Sequence, residues 1–178
     1  MVRRLRTALV LMHLATGFGW LSATAGVLLL AVNGERSAAL RVDDLLLADL
    51  SFMTVYTGTM LAGLNGWGLA RHRWVLVKLG AGIGAALGGR VVLPPLLAEP
   101  GTDPQLIGVG TIGALTIAGL AWLGRTKPGG RRNGDDPPPA PHPAWYLVAL
   151  LTPALDYVTG LPWQAVPVAA VLIRNARR

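Results

Sequence analysis

ALVLMHLATGFGWLSATAGVLLLAV, from Ala8 to Val32, is the stretch whose reading decides the fold. Its one ionisable residue is His13. The hydrocarbon core of a bilayer is about 30 Å thick and takes roughly 20 apolar residues in a helix to cross, and this run is longer. Arg3, Arg4 and Arg6 precede it and Ala23-Thr24-Ala25 is a cleavage-like triplet. The apolar run nevertheless outlasts the h-region of about 7–15 residues found in a secretion signal. An uncleaved first span is expected.

Working outward, the same pattern recurs. A polar loop is expected from Asn33 to Asp44, then a second span from about Leu45 to Leu69 with Asp49 near its start and Asn65 near its end. Arg71-His72-Arg73 forms a short basic turn, which makes spans two and three antiparallel neighbours. The third span, about Trp74 to Leu97, is interrupted by Lys78 and Arg90. At 1.5 Å per residue these two charges lie about 18 Å apart, toward opposite interfaces where long side chains can snorkel. Pro94-Pro95 is expected to end it. The fourth span runs from about Pro104 to Leu123. Residues 125–143 are basic and then proline-rich, the composition of a disordered linker. The last apolar block, Ala144 to Ile173, is broken by Pro153, Asp156, Gly160, Pro162 and Pro167. The fold class is therefore all-α: a transmembrane four-helix domain over 1–124, a cytoplasmic linker over 125–143, and a re-entrant or fifth hydrophobic segment with a basic tail over 144–178.

Composition agrees. Of the 178 residues, 52% are hydrophobic and 14% charged, against about 25% charged in soluble domains. The net charge of +7 is not a nucleic-acid signature, because the basic residues punctuate the spans instead of forming a groove interleaved with aromatics. There is no cysteine, which excludes disulfides and thiolate chemistry. Three basic regions (the N-terminus, the Arg71 turn and the Arg125 linker) fall on one side of four spans, while the opposite loops hold only Arg36 and Arg41. The positive-inside rule then places the N-terminus in the cytoplasm. Arg174, Arg177 and Arg178 stay inside as well if the last segment re-enters.

Depth along the helices groups the polar residues. His13, Asn65 and Lys78 each lie about 7–10 Å from the cytoplasmic end of their spans, and are expected to form an intramembrane cluster. Ordinary roles stand beside that reading: Lys78 snorkelling to phosphates, His13 as a neutral packing residue, Asn65 as interhelical glue. Toward the other face Asp49 and Arg90 are expected to pair, which neutralises two charges that are costly in hydrocarbon. Asp156, in the broken segment, suits a cation or a helix cap. Gly80, Gly84 and Gly88 recur at every fourth position and give one smooth helix face for close approach, within the bundle or to another chain. Tryptophans 67, 74, 122 and 145 flank span ends as an aromatic belt.

Signatures of enzymes are missing: no Walker loop, no nucleophile elbow, no paired carboxylates at a working spacing and no zinc-type histidine pair. No cofactor is expected beyond a haem or copper role for His13.

Three stretches carry a family resemblance. LMHLATGFGWLSAT (Leu11 to Thr24), GLARHRWVLVKLG (Gly68 to Gly80) and TKPGGRR (Thr126 to Arg132) resemble the first helix, the basic turn and the closing tail of small bacterial multi-pass integral membrane proteins. Those proteins are distantly similar to the membrane protein D of copper-resistance systems. The resemblance spans about Arg3 to Arg132 and implies a four-helix bundle with a cytoplasmic N-terminus and no established activity. It would also make His13 a metal-associated position, although the chain has no further membrane histidine and no methionine cluster. Three functions are compatible with these residues: an accessory or interaction subunit of the cytoplasmic membrane; a small transporter or ion-conducting protein using Asp49, Lys78, Arg90 or Asp156; and a haem or copper binder through His13. Its surroundings in each case are the lipid bilayer.

Overall fold

A computed structural model describes the chain apart from residues 66, 67, 70, 100, 102, 129–140 and 177–178. Among the described residues it is all-helical, with six helices and no strand. We label them α1 (Val2–Val32), α2 (Arg36–Leu64), α3 (Arg73–Ala98), α4 (Asp103–Thr126), α5 (Pro143–Thr159) and α6 (Ala165–Ala176). The first four are each long and apolar enough to cross a membrane. The linker and the belt position Trp67 lie largely or wholly outside the described residues.

Gly34 ends α1. It takes φ +83°, a left-handed conformation that glycine adopts without a side-chain penalty. The N–H of Gly34 bonds Ala31 O at 3.0 Å and the N–H of Glu35 bonds Leu30 O at 2.8 Å, the paired closure of a Schellman motif. The expected loop from Asn33 to Asp44 shrinks accordingly to Asn33–Glu35, and α2 begins at Arg36. Within α2 a five-residue π-turn spans Asp43–Leu47.

A second correction concerns Pro94 and Pro95, which lie inside α3 and do not end it. Proline's φ suits a helix; what it removes is an N–H donor. The helix end beyond it is held by Arg36, whose guanidinium donates to Leu96 O at 2.9 Å and Glu99 O at 2.6 Å. Carbonyls at a helix C-terminus run out of intrahelical donors, and a guanidinium supplies them.

The four long helices close a ring in which α1 packs on α2, α2 on α3, α3 on α4, and α4 on α1. One core, at the end holding Asn65 and His72, gathers Leu9, Met60, Leu64, Trp74 and Val171; the other, toward the Arg36 end, gathers Trp20, Val27, Leu93, Leu97 and Leu106. Close approach uses single glycines. A Cβ at Gly82 would touch Val55 at 3.7 Å, one at Gly110 would collide with Leu28, and one at Gly63 with Val171.

The last block is a helical hairpin. Helix α5 lies against α1 and α2, and α6 against α2. The Tyr146 hydroxyl at the start of α5 donates to Leu64 O at 3.2 Å, and near the end of α6 Asn175 approaches Gly63 and Gly68. The hairpin thus enters and leaves beside the end of α2, at one end of the bundle. Its bend is closed by Gly160 at φ +67° and by the Asp156 carboxylate, which accepts from the Gln164 N–H at 3.2 Å.

Candidate functional site

The three polar residues expected to cluster share one end of the bundle but divide between two environments. His13 of α1 meets Thr57 of α2, with Nδ1 and Oγ1 3.0 Å apart. The Thr57 hydroxyl also lies 2.8 Å from Met53 O, and the tautomer of the His13 ring sets which of the two side chains donates. Gly58 makes room for the ring, since a Cβ there would stand 3.1 Å from His13 Cε1. Lys78 acts electrostatically on His13, and its ammonium lies against the last turn of α4, 2.7 Å from where a Gly124 Cβ would stand. Carbonyls at a helix C-terminus lack intrahelical donors and favour a cation. Asn65 is directed elsewhere. It ends α2, is buried, and its Oδ1 accepts from the Tyr146 hydroxyl at 3.1 Å.

At the opposite end Arg90 donates to Asp44 Oδ1 at 3.1 Å, and not to Asp49. Asp49 lies five residues further along α2, beyond the π-turn, and is exposed. Starting the span at Leu45 hides the true partner, because Asp44 then counts as loop. The same placement hides Asp43, the most buried acid among the described residues, which is 1% exposed. Its Oδ2 has no hydrogen-bond partner among the described residues. Asp44 and Arg90 act on it with opposite signs. The visible signal is two adjacent acids immediately before Leu45-Leu46-Leu47.

Asp43 borders a partly open cavity of about 240 Å³ lined by α1, α2, α3 and α4. Its walls are apolar apart from Asp43, Arg90, the indole of Trp20 and the hydroxyls of Thr24, Ser51 and Thr116. Leu47, Leu93 and Ile117 supply part of the apolar lining.

On α3, Gly80 and Gly84 face away from the bundle and Gly88 lies at the rim of the cavity. Gly80, Gly84 and Gly88 are exposed, and a Cβ at any of them would meet nothing within 4 Å. The acid of the hairpin, Asp156, serves as a turn closure. Among the described residues no group of three or more His, Asp or Glu side chains is placed to hold a metal ion. No family model, curated protein or solved structure matches the chain.

Proposed function

We propose that the chain is a multi-pass integral protein of the bacterial cytoplasmic membrane, with its N-terminus in the cytoplasm, and that it acts as a non-catalytic accessory or interaction subunit. The membrane placement draws on four long apolar helices whose large side chains turn outward: Val91, Ile112, Leu115 and Trp122 are all exposed. Water would disfavour such a surface, whereas lipid accepts it.

The interaction role draws on the open glycine face of α3. Glycine costs helix stability and offers lipid no side chain. A line of three such residues is useful where another helix backbone comes close. That α3 packs inward through Gly82, and not through Gly80, Gly84 and Gly88, leaves this face for a second transmembrane helix.

Reconstitution in nanodiscs with a Gly84→Cys reporter tests the reading. Crosslinking through the introduced thiol, to a second copy or to a co-purified membrane protein, is the expected result, with Gly84→Leu abolishing the association. An association unchanged in Gly84→Leu, or a strictly monomeric protein that brings no partner from its native membrane, overturns it.

A further inference from the structure

The cavity beside Asp43 has an unusual polarity. Each hydroxyl on its wall has already spent its proton on its own helix: Thr24 donates to Trp20 O at 2.9 Å, Ser51 to Ala48 O at 2.7 Å, and Thr116 to Ile112 O at 2.8 Å. What these groups can still offer is lone pairs. The carboxylate of Asp43 adds a buried oxygen without a donor among the described residues, and the Trp20 side chain borders the same space. Arg90, the one cation on the described wall, donates one N–H to Asp44. The oxygens on this wall are therefore acceptors in a largely apolar cavity.

A buried carboxylate oxygen without a donor is costly, and here it sits on a π-turn, an irregularity frequent at functional sites. An ordinary α-helical register would change the direction of Asp43 relative to the residues after the turn. The chamber also has an entrance. Gly88 and Ile112 border it and are exposed, and a Cβ at Gly88 or Gly113 would meet nothing within 4 Å. The opening therefore lies between α3 and α4, on the flank that faces lipid in a membrane.

We propose that this chamber binds a small amphiphilic amine, with its ammonium group on Asp43 and its hydrocarbon portion along the apolar wall. An ammonium brings three donors to the Asp43 carboxylate and the lone pairs of the neighbouring hydroxyls. The tryptophan adds a surface that attracts cations. The volume of about 240 Å³ is below the roughly 300–1,000 Å³ of pockets for drug-sized ligands, so the occupant is a short-chain amine.

The probe is n-hexylammonium, titrated calorimetrically into the protein in zwitterionic nanodiscs, with empty discs subtracted and hexanol and hexanoate run in parallel. Saturable binding of the amine alone is expected. Asp43→Asn weakens it about tenfold or more, as for a lost charge-assisted hydrogen bond. Gly113→Leu, which fills the entrance without touching the carboxylate, weakens it too, and decides the matter if Asp43→Asn does not fold. Asp49→Asn leaves it unchanged, and so does Gly84→Leu, which separates this site from the proposed helix pairing. Equal uptake of hexanol, no saturable binding, or full affinity in Gly113→Leu or folded Asp43→Asn overturns the proposal.

Discussion

Arg36 Nη2 stands 2.6 Å from Asp103 Oδ1, and the same guanidinium holds the carbonyl of Glu99 at 2.6 Å. One side chain at the start of α2 thereby joins the end of α3 to the start of α4. The carbonyl bonds are the larger part of this clamp, because Asp103 is more than half exposed and exposed ion pairs contribute about 0–1 kcal/mol. Arg36→Met is expected to destabilise the bundle by about 2–3 kcal/mol, and Asp103→Asn by about 1 kcal/mol or less. Unfolding in mixed micelles measures both, and equal losses would contradict this ranking.

Tyr146 links the hairpin to the end of α2 through Leu64 O and Asn65 Oδ1. Tyr146→Phe leaves two buried acceptors without that donor, at an expected cost of about 1–3 kcal/mol. Tyr157, which is 91% exposed, is the control, and its replacement by Phe should leave the unfolding midpoint unchanged.

Gly63 is where α6 rests on α2. Gly63→Val forces a side chain into the space of Val171, and such overpacking costs about 1–3 kcal/mol. The expected signature is selective: faster protease cleavage in the bend at 160–164, with the four-helix portion intact. Uniform loss of all helices would show that the hairpin and bundle unfold as one unit.

The absence of cysteine makes sidedness simple to measure with single reporters. Ser37→Cys should react with an impermeant maleimide from outside the cell. Thr126→Cys and Ala176→Cys should react only after permeabilisation. Labelling of Ala176→Cys from outside would mean that the last block crosses the membrane.

Apolar run length makes the four long helices legible, since a helix is the economical way to satisfy backbone groups without water. Helix α2 reads short in the sequence because Arg36, Arg41, Asp43 and Asp44 look like loop composition. Their helicity depends on partners distant in sequence, as Arg36 with the end of α3 and Arg90 with Asp44 illustrate. Pro94-Pro95 misleads for the same reason. The regular glycine spacing draws attention to a face that the bundle leaves open, while the tight contacts fall on Gly63, Gly82 and Gly110, which no simple repeat marks. His13 stands out by its chemistry, but its partner Thr57 carries no signal in a single sequence. Asp43 stays hidden because burial is a property of the assembled helices.

The π-turn at Asp43–Leu47 packs one residue more than a regular turn holds. Removing a single residue there, such as the outward-facing Leu45, would let the helix wind evenly and swing everything before it by about 100° relative to the residues after it. Arg36 would turn off the end of α3, while Tyr56 and Asn65 kept their places against α5. That one surplus amino acid acts as a phase adjuster, allowing the two halves of one rod to answer to different neighbours.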